Sequence, residues 1–128
     1  MPQMNQISLV DGSDTAHVFK PNKINAAGVA FFVNMEGLST VAAEQLTVSA
    51  KLPSPKGAVS RSQARIVIPL MDTSVTPAKK IGEDYITVEL VASKDSTGDR
   101  RTVLVDLLAA ALVNADVRKH FVELESSY

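Results

Sequence analysis

Three segments of the chain alternate polar and apolar residues with a period of two. In 45–51, Leu46, Val48 and Ala50 interleave with Gln45, Thr47, Ser49 and Lys51. In 61–68, Ala64, Ile66 and Ile68 interleave with Arg61, Gln63, Arg65 and Val67. In 84–92, Ile86, Val88, Leu90 and Ala92 interleave with Tyr85, Thr87 and Glu89. Successive side chains of a strand point to opposite faces, so this pattern demands an antiparallel sheet with one covered face and one wet face. Upstream, Asp11-Gly12-Ser13-Asp14 is a dense turn signal inside a β-hairpin expected over 6–20 and ended by Pro21-Asn22. A short apolar strand is expected at 28–33, a turn at 53–57 and a loop at 72–84 around Pro77.

After Ser96 the period changes. Ser96 and Asp99 have the spacing of a capping box. Val103, Leu104, Leu107, Leu108, Ala111 and Leu112 then recur at helical spacing. Asp116 is placed to cap a second helix with Val117, Phe121 and Leu124 on one face. The expected class is therefore α+β, a single domain over 1–128 with its hairpin at 6–20, its antiparallel sheet at 28–92 and two helices within 97–125. The helices are expected to cover the apolar face that carries Leu46, Ile66 and Val88. The stretch 107–113 is apolar enough to want a second surface as well, and a homodimer is the simplest source of one.

Composition excludes several function classes. Thirteen Lys and Arg against fourteen Asp and Glu give a net charge of −1, so charge steering can only be local. Without cysteine there is no disulfide, thiolate zinc site or thiol nucleophile. The two histidines, His17 and His120, are expected at the surface, and no metal or cofactor is expected. The chain lacks a Gly-rich phosphate loop, a Gly-x-Ser-x-Gly elbow and a His-Glu-x-x-His helix, so it does not read as an enzyme. The longest apolar run is seven residues against the roughly 20 that span a bilayer, and the N-terminus has no signal-peptide pattern; no membrane partner is expected.

The wet face is where chemistry can reside. Between Gln45 and Met71 stand four cations, Lys51, Lys56, Arg61 and Arg65, and no anion. Cations and hydroxyls suit phosphate oxygens, the amides of Gln45 and Gln63 suit base edges, and Tyr85 can stack on an unpaired base. The plain alternative is a solvated sheet face without a ligand.

These parts, in this order, resemble the coat proteins of the small single-stranded RNA bacteriophages, the leviviruses. Local strings carry the resemblance along the chain. They are Ile7-Ser8-Leu9-Val10-Asp11-Gly12, Asn25-Ala26-Ala27-Gly28-Val29-Ala30, Thr47-Val48-Ser49, Tyr85-Ile86-Thr87-Val88-Glu89-Leu90 and the terminal Ser127-Tyr128. The resemblance implies an N-terminal hairpin, a five-stranded sheet, and a homodimer whose two sheets join into one of ten strands. It implies helices that reach over the partner, and an icosahedral shell around genomic RNA. It also implies an inner face that binds an RNA hairpin and represses translation. Val29, Thr47, Ser49 and Arg65 match the family's adenine pocket, Tyr85 its stacking tyrosine, and Lys51 and Arg61 its phosphate-contacting cations. Thr87 and Gln45 stand where the best-known members have asparagine and lysine. The loop with Pro77 matches the one that lines the shell's symmetry axes. The implied location is the virion, after synthesis in the bacterial cytoplasm. Two other classes stay open at this level: a dimeric β-sheet RNA-binding module that does not assemble, and a small ligand-binding or enzymatic α+β domain.

Overall fold

The computed structural model describes residues 5–26, 28–35, 42–51 and 59–124. The turn expected at 53–57 and the terminal Ser127-Tyr128 lie outside them. Six strands form, β1 (Ile7–Val10), β2 (Ala16–Ile24), β3 (Ala30–Asn34), β4 (Glu44–Lys51), β5 (Val59–Asp72) and β6 (Lys79–Ser93). They make one sheet in chain order, β1 to β6, so every strand neighbours the one before it and no crossover is needed. The chain divides into two compact units, Met1–Val91 and Ala92–Tyr128.

Two expectations are corrected in the sheet. The hairpin does not stop at Pro21 beside a separate five-stranded sheet. Instead β2 runs on to Ile24 and pairs with β3, with the register shifting between Pro21 and Lys23. The shift is a bulge, the device by which a strand accommodates a residue that cannot donate to the ladder. The loop expected at 72–84 shrinks to 73–78, because β5 reaches Asp72 and β6 begins at Lys79. The Asp72 carboxylate shapes that turn, accepting from the Ser74 hydroxyl at 2.6 Å and the Ser74 amide at 3.0 Å. These bonds hold its carboxyl below the usual aspartate range.

The core lies on the apolar face, as the alternation requires, but only at one end. Phe19, Phe32 and Leu46 are buried, with Ile7, Ala30 and Ile66 packed against them. Each such large side chain contributes roughly 1.5–3 kcal/mol on burial. Two members of this cluster, Ile7 and Phe19, come from the hairpin. Farther along the same face, Val48, Ile68, Ile86 and Val88 are exposed.

In the second unit, α1 (Gly98–Val113) and α2 (Ala115–Val122) form where the period changes, and neither contains a buried residue. The caps are not those expected. Thr97, not Ser96, caps α1 and accepts from the Arg100 amide at 3.3 Å; Asp99 then falls in the first turn, where the helix dipole favours an anion. Asn114, not Asp116, caps α2, accepting from the amides of Asp116 and Val117 at 3.0 and 3.3 Å. Its own amide closes α1 on Ala110 and Ala111, so one residue ends the first helix and starts the second. Leu107 is 61% exposed, and Val103, Val105 and Leu108 are also exposed. Apolar helix side chains this open to solvent ask for a further surface to bury them.

His17 is not the plain surface residue expected. It is half-buried and bridges two carboxylates, with Nδ1 2.8 Å from Glu44 Oε1 and Nε2 2.9 Å from Asp11 Oδ2. Asp11 shapes the hairpin turn, its Oδ1 accepting from the amides of Ser13 and Thr15. Glu44, which is buried, also accepts from the Asn34 side-chain Nδ2 at 2.6 Å. The histidine therefore ties the hairpin turn to the start of β4. Glu44 first, and then Asp11, raise the His17 pKa above the ordinary 6.5. His17, helped by the turn amides, lowers that of Asp11 below the ordinary 3.8. A raised histidine stabilises the fold fully below 6.5 and loses that contribution as pH climbs through its folded value. A lowered aspartate does so fully above 3.8 and loses it as pH falls through its folded value. Resistance to thermal unfolding, measured across pH, is expected to be greatest between these limits. His17→Gln should flatten the alkaline limb; an alkaline limb unchanged in that variant would show that the bridge contributes nothing.

Candidate nucleic-acid interface

The register of the central strands assembles the polar face. Across β4 and β5 the directly opposed pairs are Gln45 with Val67, Thr47 with Arg65, Ser49 with Gln63, and Lys51 with Arg61. Opposed residues share a face, so Thr47 lands beside Arg65 and Ser49 beside Gln63. On the other side of β4, Phe31 opposes Thr47 and Val33 opposes Gln45. Gln45, Arg61 and Gln63 are exposed, whereas Thr47, Ser49 and Arg65 are half-buried.

Beyond β5 lies β6, the edge of the sheet. Tyr85 is 60% exposed there, and the Arg65 guanidinium sits over its ring, 4.0 Å from the centroid. Such a cation–π contact contributes about 0.5–2 kcal/mol, more as water is excluded. Arg65 Nε is shielded from solvent and has no hydrogen-bond partner among the described residues. A shielded N–H without an acceptor is costly, so the stack holds the guanidinium in place at the expense of one of its donors. Thr87 is exposed, two residues along β6 from Tyr85. Arg61 meets Glu89 at 2.8 Å in an exposed ion pair, of the kind that contributes about 0–1 kcal/mol. Glu89 thus brings to this face the anion that 45–71 lacks.

Val29 is set by the turn between β2 and β3. Its amide donates to Asn25 Oδ1 at 3.0 Å, and the Gly28 amide donates to the Asn25 carbonyl at 3.0 Å. Gly28 has φ +81°, a backbone that side-chain-bearing residues rarely adopt, so the turn needs glycine there. Val29 itself precedes β3 and is half-buried. Phe31, with Lys23 5.3 Å from its ring centroid, joins the Thr47–Arg65 row and was missed by sequence reasoning. The alternation of Phe31 and Val33 with Phe32 was the available signal. Among the described residues no three His, Cys, Asp or Glu side chains converge as a metal site.

The face thus presents cations, hydroxyls, amides and an exposed ring on one side of the sheet. Comparison with known proteins gives it a context. A family model described as levivirus coat protein matches residues 2–128. No curated protein sequence matches the chain. Among solved structures, the virus-like particle of Beihai levi-like virus 21 superposes with a TM-score of 0.91 at 25% identity, covering 99% of each chain. The protein capsid of bacteriophage GA gives 0.75 at 19% identity over 98% of each chain. An unassembled bacteriophage coat protein dimer, described as an RNA-binding dimer, gives 0.70 at 20% over 98% of each. That family is structural and not enzymatic, and its match runs through the hairpin, the sheet and both helices: the chain belongs to the levivirus coat proteins.

Proposed function

We propose that this capsid protein forms a homodimer by joining two copies along β6, that the dimers close into an icosahedral shell, and that the polar face binds single-stranded RNA inside it. Joining the sheets of two copies at β6 gives one continuous sheet, to which β2–β6 contribute ten strands and the two β1 strands the outer edges. The dimer reading is supported by what the chain leaves uncovered. β6 is a 15-residue edge strand, and an edge that long invites pairing with another chain. The apolar side chains of α1 and the exposed Val48, Ile68, Ile86 and Val88 supply surface for a second copy to bury.

The observation that carries the RNA reading is the Arg65–Tyr85 stack. It fixes an obligate cation against an open ring, beside the hydroxyl of Thr47. A base can stack on the ring while the remaining guanidinium donors and the hydroxyls meet phosphate or base edges. The same face is proposed to hold an RNA hairpin and, through it, to repress translation.

Two experiments test these readings. Leu107→Asp should abolish soluble dimers and shells, read by size-exclusion chromatography and electron microscopy; a folded wild-type monomer at micromolar concentration would refute the dimer. Arg65→Ala and Tyr85→Ala should each leave shells intact and weaken RNA binding by about 1–3 kcal/mol in a filter-retention assay, and Tyr85→Phe should cost less. Lys51→Ala should weaken all RNAs alike and reduce the salt dependence. RNA binding equal to wild type in all three alanine variants would leave the face a solvated surface.

A further inference from the structure

The bulge in β2 has a consequence for charge. Residues an odd number apart on a regular strand point to opposite faces, so Lys20 and Lys23 should be separated by the sheet. They are not. Lys20 opposes Val33, Pro21 opposes Phe32 and Lys23 opposes Phe31, so one residue of β2 is extra. Both lysines therefore share the face of Val33 and Phe31, which is the face of Gln45 and Thr47. Re-aiming a side chain is a recurrent use of a bulge. Both lysines are exposed, and among the described residues neither makes an ion pair, whereas Arg61 and Lys80 do.

Lys23 also lies over the half-buried ring of Phe31. One row across the sheet thus reads Lys23, Phe31, Thr47, Arg65, with Tyr85 stacked on Arg65. It holds two cation–aromatic pairs with a hydroxyl between them. From β2 to β5 is three strand spacings, about 14 Å. Next to Lys23 the surface opens into a cavity of about 430 Å³ lined by Val18, Lys20, Pro21, Asn22, Val33 and Met35. That is within the roughly 300–1,000 Å³ range of small-ligand pockets. Its walls are mostly apolar, with one ammonium and one amide at hand, a combination suited to a base and its phosphate.

We propose that Lys20, Lys23 and Phe31 form a second nucleotide subsite for the same RNA strand that the Arg65–Tyr85 pair engages. The proposal rests on the RNA reading of the polar face. The two lysines take phosphates, Phe31 contacts a base, and the adjoining cavity accepts the next one. The occupant is polyanionic because neither lysine has an ion-pair partner among the described residues, and it is the same strand because the row is continuous.

The test uses the full-length protein and a 5-iodouridine-substituted oligouridine of about ten nucleotides, within the usual single-strand site sizes. Photocrosslinking should mark the peptide containing Phe31 as well as the one containing Tyr85. The double variant K20Q/K23Q should bind about tenfold more weakly, and its log–log salt slope should fall by about 1.4, at roughly 0.7 per lost single-strand phosphate contact. Phe31→Leu, which keeps an apolar side chain, should lose affinity and the crosslink together. Loss of binding in Tyr85→Ala with wild-type binding in K20Q/K23Q would overturn the subsite and leave the RNA face standing. No binding by the wild type, or no effect of any variant, would overturn both. Wild-type RNA binding in K20Q/K23Q accompanied by failure to form shells would assign these residues to a protein interface and overturn the subsite.

Discussion

The pairing register of β3, β4 and β5 is the constraint on which the rest depends. It puts Leu46 between Phe32 and Ile66 on one side of the sheet, and Thr47 between Phe31 and Arg65 on the other. A slip of one residue would exchange the two faces, exposing the core and burying the cations. The apolar cluster and the polar row are thus two readings of a single alignment. The hairpin reinforces it from one end, through Phe19 in the core and through the His17 bridge to Glu44 at the start of β4.

Much of this alignment was legible in the sequence because period-two alternation is a local property. β4, β5 and β6 contain the three alternating segments, and Thr47, Ser49 and Lys51 of β4 oppose Arg65, Gln63 and Arg61 of β5. What escaped depends on residues far apart in the chain. Glu89 neutralises Arg61 from 28 residues away, and Glu44 reaches His17 from 27. The proline that read as the end of β2 became part of a bulge, because a neighbouring strand supplied partners beyond it. The caps moved by one residue at Thr97 and two at Asn114, since Ser, Thr, Asn and Asp all accept a helix amide and local composition does not rank them.

The helices show another limit of periodicity. An apolar stripe declares that a surface must be buried and does not say by what. Ile7 and Phe19 pack with Leu46, and α1 and α2 keep every residue at least partly open. A subunit of a closed assembly is expected to look incomplete by itself, because part of its core is shared.

The stacking of Arg65 on Tyr85 gives the chain an optical handle. There is no tryptophan, and Tyr85 is one of only two tyrosines. Tyrosine emission and near-ultraviolet dichroism therefore draw on few chromophores, one of which has a guanidinium 4.0 Å from its ring. Displacing that cation, or covering the ring with another aromatic system, changes the chromophore's surroundings directly. The unlabelled protein can thus report events at the centre of its polar face in an ordinary spectrometer.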